Sequence, residues 1–231
     1  MKEKLKVEVT AKEVYRRNLM MRSIMIIIAF LMLFLSILYA ILYIVNKEGN
    51  FTINLDPNLS ANKKIVMSST SDFNDTALTL NVKSLDYMDN ISESWLPADL
   101  DNHEGEHSGN NYLAYTFFIK NDSDEKTSYS FSINILSVIK NVDEAVRVAL
   151  YTNGEKVVYA KKSNTTGGPE GTTTMFESDN RIMYKLRKDF KPQEVDKYTI
   201  VVWLEGDDPE CVDAILGGEM KMEVSLGEDK K

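Results

Sequence analysis

The only two histidines of the chain stand four residues apart, in His103-Glu104-Gly105-Glu106-His107. On a helix, this His-Glu-x-x-His spacing places two imidazoles one turn apart, where they can bind zinc while the glutamate acts as a general base. The surrounding sequence argues against a helix, because a glycine stands inside the motif and no apolar stripe accompanies it. We interpret the segment as a solvated loop. The alternative is a zinc site at His103 and His107, whose third ligand would have to be a carboxylate.

A second group of candidate ligands is acidic and lies near the carboxyl terminus. It consists of Asp207, Asp208, Glu210 and Asp213. Several hard oxygen ligands close together suit calcium, although this spacing is not that of an EF-hand loop. Asp208 is a good N-cap, Pro209 suits the first helical position, and Gly217 or Gly218 can end a helix, so the sequence predicts a short helix here. Carboxylates in a first helical turn are already favoured by the helix dipole, which is the structural alternative to a cation cluster.

Other signatures of catalysis are missing from the sequence. Nucleophile elbows, glycine-rich phosphate loops and paired cysteine ligands do not occur. Cys211 is the only cysteine, so the chain cannot form an internal disulfide. The sequence therefore predicts no catalytic residue and no cofactor, with zinc or calcium as the alternatives.

A single apolar segment dominates the amino-terminal part of the chain. Residues 23–45 carry no charge, which at about 1.5 Å per residue is long enough for a helix to cross a bilayer. A cleaved signal is the competing interpretation, but its apolar region would be shorter and would end in small residues. Residues 1–22 hold seven Lys and Arg against three Glu, so the positive-inside rule predicts a cytoplasmic tail. We predict a tail at 1–22, a transmembrane helix at 23–45 and an extracytoplasmic domain at 46–231.

The charge of the predicted external part excludes one class of partner. Residues 46–231 contain 20 basic and 32 acidic residues, a formal charge of −12. Nucleic-acid binding needs concentrated Lys and Arg, so we predict no nucleic-acid partner. The predicted partners are the membrane, through residues 23–45, and surface or matrix proteins, including other copies of the chain.

Beyond residue 46 the pattern becomes typical of strands. Runs of about six to nine residues rich in β-branched and aromatic types alternate with Gly, Asn, Asp and Pro clusters. The predicted strands are Phe51–Leu55, Ala77–Leu85, Tyr112–Lys120, Ser128–Val138, Arg147–Tyr151, Lys156–Ala160, Arg181–Arg187, Lys197–Glu205 and Glu219–Leu226. Asn153-Gly154 predicts a tight hairpin turn between two of them. We predict a mainly β, antiparallel sandwich of jelly-roll type, with exposed mobile loops at Asp89–Asn111 and Lys161–Thr174.

One element near the carboxyl terminus carries a resemblance. Trp203-Leu-Glu205-Gly206-Asp-Asp-Pro209-Glu-Cys211, together with the basic tail, apolar segment and β-rich domain, resembles exported proteins of Gram-positive bacteria related to camelysin and the TasA-type biofilm matrix proteins. The segments Asn141–Arg147 and Lys197–Trp203 are similar to uncharacterised members. The resemblance implies a jelly-roll domain at the cell surface or in the matrix that can assemble with its own copies. Camelysin is a metalloprotease, so the resemblance leaves catalysis open, and it assigns no metal ligand here.

We therefore expect a membrane-anchored cell-surface protein whose domain makes protein or matrix contacts without catalysis. The first alternative is a zinc endopeptidase that uses His103, Glu104 and His107. The second is an accessory or sensing subunit of an envelope complex.

Overall fold

The computed structural model describes residues 10–46, 51–85 and 87–228. The chain divides into two compact units, Met1–Glu48 and Gly49–Lys231. The first unit is helical and the second is mainly β, as the sequence predicted.

The first unit contains helix α1, Ala11–Asn46. The backbone N–H and the hydroxyl of Thr10 both donate to the Glu13 carboxylate, so this pair caps the start of the helix. The hydroxyls of Ser23 and Ser36 donate to carbonyls one turn back, which satisfies them without water. Within the described part of the chain, α1 is the one helix long and apolar enough to cross a membrane.

The second unit is built from strands with few helices. Its strands are β1 Phe51–Leu55, β2 Ile65–Ser68, β3 Thr79–Val82, β4 Gly105–Glu106, β5 Tyr112–Asn121, β6 Thr127–Ile139, β7 Val146–Thr152, β8 Glu155–Ala160, β9 Thr174–Met175, β10 Arg181–Phe190, β11 Val195–Leu204 and β12 Glu219–Gly227. Helix α2 covers Pro57–Lys63. Short 3₁₀ turns cover Glu93–Trp95, Leu100–Asn102, Val142–Glu144 and Asp213–Ile215.

The strands form two sheets. A five-stranded sheet has the order β10-β6-β12-β1-β3, and a seven-stranded sheet has the order β2-β5-β11-β7-β8-β9 with β4 also paired to β5. Most neighbours are antiparallel, but β1 runs parallel to β12 and β8 runs parallel to β9. Both sheets are therefore mixed rather than purely antiparallel.

One hydrophobic core is shared by the two sheets. The Phe131 ring of the five-stranded sheet lies 4.5 Å, between centroids, from the Tyr198 ring of the seven-stranded sheet. Phe117 stacks on the same tyrosine at 5.5 Å. Every buried member of this cluster lies between Phe51 and Leu226, so the second unit has its own core and we expect it to fold without α1.

The hairpin predicted at Asn153-Gly154 is present. It joins β7 to β8 in antiparallel register, from Arg147 opposite Ala160 to Thr152 opposite Glu155. The backbone φ angles of Asn153 and Gly154 are 50° and 90°. Both are positive, as a tight turn between right-twisted strands requires.

The prediction of an exposed, mobile loop at Asp89–Asn111 is wrong in one respect. Ile91 and Leu100 are 7% and 3% exposed and pack with Trp203 against the outer face of the seven-stranded sheet. The segment therefore covers a second, smaller apolar cluster. Two buried side chains are enough to fix it, although its average composition is polar.

The loop at Lys161–Thr174 is mostly exposed, as expected, but it is tied down at one point. Ser163 is 6% exposed, and its hydroxyl accepts hydrogen bonds from the backbone N–H groups of Thr165 and Thr166. Its backbone N–H donates to the Gly168 carbonyl. These bonds fix the backbone of the loop at residues 163–168, shortly before Glu170.

Candidate cation site

Strand alternation brings a cation to the outer face of the seven-stranded sheet. In β7, Val146, Val148 and Leu150 join the core between the sheets, so Arg147 points to the opposite face. Its register partner in β11 is Trp203. Arg147 is only 5% exposed, so its charge needs a partner within the protein.

The partner of Arg147 is Asp208. Arg147 Nη2 donates to Asp208 Oδ2, and the Asp208 side chain is fully buried. The other oxygen, Oδ1, accepts the backbone N–H of Glu210 at 2.8 Å. The α-helix predicted from Asp208 to Gly217 does not form, and only the 3₁₀ turn Asp213–Ile215 is present. The Asp208 side chain still accepts a backbone N–H two residues later, as an N-cap would, but here this bond fixes a turn. In that turn the other carboxylate oxygen contacts Arg147.

Two further carboxylates meet Asp208. Ligand oxygens of Glu170, Asp208 and Glu210 all lie within 4.8 Å of one another, and we call these three residues the carboxylate cluster. Glu170 Oε1 and Glu210 Oε2 are buried and accept no hydrogen bond, and a proton on Glu210 would let it donate to Asp208. Glu210 Oε1 accepts the backbone N–H of Asn164 at 3.1 Å, which links the cluster to the Lys161–Thr174 loop. Of these three carboxyl groups, only that of Asp208 is paired with the Arg147 guanidinium.

The electrostatics of the cluster favour uptake of a positive charge. A hydrogen bond with Asp208 is the main cause that raises the pKa of Glu210, with burial and repulsion from Asp208 and Glu170 adding to it. Burial acts to raise the pKa of Asp208, but hydrogen bonds from Glu210 and Arg147 outweigh it and lower that pKa. The cluster can hold one proton between Glu210 and Asp208, or a hard divalent cation in its place.

The structure brings together half of the predicted acidic group. Asp208 and Glu210 belong to the carboxylate cluster, whereas Asp207 and Asp213 are exposed and lie outside it. Sequence reasoning missed Glu170 and Arg147. An arginine inside an otherwise apolar strand was the available signal for Arg147, but nothing in the sequence pointed to Glu170.

The histidine motif is extended rather than helical. His103 follows the 3₁₀ turn Leu100–Asn102 with extended backbone, and Gly105 begins β4 with φ 62°. The two imidazole rings nevertheless lie 5.3 Å apart between centroids. His107 Nδ1 lies 2.9 Å from the Gly105 carbonyl, and burial lowers the pKa of His107, so its ring is neutral at pH 7. Among the described residues, the three side chains close enough together to hold a metal are Glu170, Asp208 and Glu210. Neither histidine belongs to this group.

The Trp203–Cys211 element fastens the segment 87–111 to the sheet. The Trp203 indole N–H donates to Glu205 Oε2 at 3.0 Å, and the same oxygen accepts the backbone N–H of Glu93. Gly206 N–H donates to the Ile91 carbonyl at 3.0 Å. Pro209 is exposed. Cys211 is half-buried, and its sulfur accepts the Asn90 amide at 3.3 Å.

A second buried aspartate lies between the sheets. Asp196 Oδ2 accepts the Tyr129 hydroxyl at 2.7 Å and Arg187 Nε at 2.8 Å, while Oδ1 accepts Asn153 Nδ2 at 3.0 Å. The Tyr129 and Tyr198 hydroxyls are 2.8 Å apart. Burial is the main cause that raises the pKa values of both tyrosines, so both stay protonated. We call these five residues the Asp196 network; it joins β6 and β10 of one sheet to β11 of the other.

Comparison with known proteins finds little. No protein-family model matches the sequence, and no curated protein matches it. Two crystal structures of a β-glucosidase from Kluyveromyces marxianus, one in complex with glucose and one selenomethionine-labelled, are similar at 12% identity, with TM-scores of 0.28 and 0.27. The matches cover 72% of this chain and 16% of those chains, so this chain spans about a sixth of their length. Likeness at this level says nothing about the fold or activity of this chain.

Proposed function

We propose that the chain is a single-pass, membrane-anchored cell-surface protein whose external β domain makes protein or matrix contacts without catalysis. Helix α1 carries the proposal. It has no charge from Ser23 to Val45, and its described apolar side chains are exposed, with Phe30 and Met32 each at 68%. So much apolar surface is unfavourable in water and favourable in lipid. The basic residues before it favour a cytoplasmic amino terminus.

We further propose that the external domain is a β-sandwich of jelly-roll type. The shared core, to which Phe117, Phe131 and Tyr198 contribute from different sheets, supports a two-layer arrangement. The parallel pairs β1–β12 and β8–β9 would be departures from a fully antiparallel version of that fold.

A contact function is supported by large apolar side chains that the second unit leaves in water. Trp95 is 74% exposed, Tyr87 70%, Leu216 61% and Leu136 59%. Tryptophan and tyrosine are enriched among the residues that anchor protein interfaces. The negative charge of the domain favours proteinaceous or neutral partners over nucleic acid.

Cysteine labelling on intact cells tests the anchor and its orientation. In a Cys211→Ser background, Asp124→Cys places a thiol on the exposed β5–β6 turn, and Lys6→Cys places one in the tail. A membrane-impermeant maleimide should label the first variant on intact cells and the second only after permeabilisation. The proposal would be refuted if neither variant were labelled on intact cells, or if the full chain were recovered in the cytosol. Loss of an amino-terminal tag from the mature chain would identify a cleaved signal instead.

A zinc endopeptidase is the second candidate, because the His103 and His107 rings lie close together and His107 is neutral. A purified fragment of residues 49–231 should contain no stoichiometric zinc and should not cleave casein. Cleavage that His103→Ala abolishes would establish the enzyme. The third candidate, an accessory subunit of an envelope complex, predicts a defined partner that co-purifies with the full chain from membranes.

A further inference from the structure

An apolar pocket of about 470 Å³ opens at one end of the core between the sheets. Leu113, Val146 and Val202 line it from the seven-stranded sheet, and Met220 and Met222 line it from the five-stranded sheet. The remaining lining comes from Phe51, Val142 and Leu204 and from two connecting segments, residues 84–85 with 87–90 and residues 211–219. Its volume lies within the range of roughly 300–1,000 Å³ that is usual for small-molecule sites.

A close backbone approach holds the second connecting segment in place. A side-chain carbon at Gly218 would lie 2.8 Å from Val142 Cβ and 2.9 Å from the Ile139 carbonyl oxygen. Gly217 has φ 69°, a left-handed conformation that glycine adopts without strain. The wall formed by residues 211–219 therefore depends on this pair of glycines.

The mouth of the pocket leaves apolar side chains in water. Tyr87, Val212 and Leu216 all line it and are 70%, 52% and 61% exposed. Together with the apolar interior, they form a continuous surface on which a hydrocarbon chain would lose water contact. The shape and lining thus favour an alkyl chain over a polar metabolite.

The charged side chains that line the pocket are all acidic: Asp89, Asp213 and Glu219. One described cation lies close to the lining, because Lys140 donates its amine to the carbonyl of Leu216, so three carboxylates outnumber one ammonium group there. An anionic head would therefore meet three carboxylates at the mouth, and a cationic head would be attracted to them.

We propose that this pocket binds an amphiphile that pairs an alkyl chain with an ammonium head group. The alkyl chain occupies the space between Val146, Val202 and Met222, and the ammonium group lies beside Asp89, Asp213 and Glu219. All the described residues that line the pocket belong to the second unit.

Methionine methyl NMR tests the position of the site in a fragment of residues 49–231. The fragment has six methionines, of which Met88, Met220 and Met222 line the pocket, while Met67, Met175 and Met183 do not and serve as internal controls. Titration with decylamine below its micelle concentration should shift the three pocket methyls saturably and leave the controls in place. Equal shifts at all six methyls, or none at any, would overturn the proposal.

The head-group preference is tested with probes of equal chain length. Decylamine should bind more tightly than decanol, and decanoate should bind least. Asp213→Asn should weaken decylamine binding about two- to five-fold, the effect of one solvent-exposed charge pair, and leave decanol binding unchanged. Asp124→Asn also removes one carboxylate, but on the β5–β6 turn and outside the pocket lining, so it should change neither decylamine binding nor decanol binding. Binding of decanoate as tight as decylamine would reject an ammonium ligand.

Discussion

Asp196 and Asp208 are almost equally buried, but their hydrogen-bond partners differ. Asp196 is 1% exposed and Asp208 is 5% exposed, and each pairs with an arginine. In the Asp196 network, both carboxylate oxygens are satisfied by a tyrosine, an arginine and an asparagine. In the carboxylate cluster, Arg147 pairs with Asp208 alone among three carboxyl groups, and buried oxygens of Glu170 and Glu210 accept no hydrogen bond.

The difference shows why burial of a charge is not itself a sign of function. A closed network such as that of Asp196 stabilises one packing of the two sheets and has no capacity left for a ligand. The carboxylate cluster keeps unsatisfied acceptors, so a proton or a cation can still enter it. Removing one partner at a time from each group tests this contrast.

Asp196→Ala should have the largest effect. It leaves Arg187 and Tyr129 without their acceptor between the sheets, so we expect the free energy of unfolding to fall by about 3 kcal/mol. Urea denaturation of the 49–231 fragment measures it. Asp124→Ala, at an exposed position, is the matched control and should stay within about 0.5 kcal/mol of the wild type. An equally small change in Asp196→Ala would show that the network does not hold the sheets together.

Arg147→Met should cost less, about 2 kcal/mol at pH 7, because the carboxylate cluster can neutralise the uncompensated charge by taking up protons. In the wild type the lowered pKa of Asp208 stabilises the fold above the unfolded pKa, and this contribution is lost as the pH falls through the folded pKa. The Arg147→Met variant lacks this stabilising contribution. The difference in unfolding free energy between the two proteins should therefore shrink as the pH falls below about 4, the ordinary range of an aspartate pKa, where Asp208 of the wild type becomes protonated. A constant difference would contradict the role of the ion pair.

Tyr198→Phe should lower the unfolding free energy by about 1 kcal/mol, since it removes one hydroxyl from a buried pair and keeps the ring that stacks on Phe131. Tyr159→Phe, a half-buried tyrosine outside the Asp196 network, is the control and should change stability less. If both changes have the same effect, the hydroxyl contact adds nothing to the network.

Glu210→Gln should have the smallest effect and the opposite sign. Because the folded pKa of Glu210 is raised, the wild type loses stability as the pH rises through that pKa, and a neutral glutamine avoids this loss. Tm should match the wild type near pH 4 and exceed it by about 1–2 °C at pH 7. Glu155→Gln, at an exposed hairpin position, should show no such dependence.

The same variant separates a proton site from a cation site. A rise in Tm of the wild type with millimolar Ca²⁺ that Glu210→Gln removes would identify the carboxylate cluster as a cation site. A pH effect without a calcium effect would identify it as a pair that shares a proton. Neither effect would mean that the cluster is structural, like the Asp196 network.

Much of the fold was accessible from the sequence, because its signals are local. Each of the nine predicted strand runs overlaps an observed strand, and β1 has the predicted bounds. β2 was missed because Ile65-Val66-Met67-Ser68 is too short to show alternation. The helix predicted after Asp208 was wrong, because capping residues do not by themselves supply the turns of helix that must follow. Asp89–Asn111 was predicted as a free loop, because its two buried side chains are few within a polar segment.

The apolar segment 23–45, the β-rich domain and the Asn153-Gly154 turn can be derived from the sequence, since each depends on the spacing and type of neighbouring residues. The contact of Arg147 with Asp208, 61 residues later, and the grouping of Glu170 with Glu210 rather than with Asp207 or Asp213 become visible only in the folded domain. Strand register and the closure of the loops decide which of these side chains lie in contact. Both follow from the packing of the whole domain, so no local pattern encodes them.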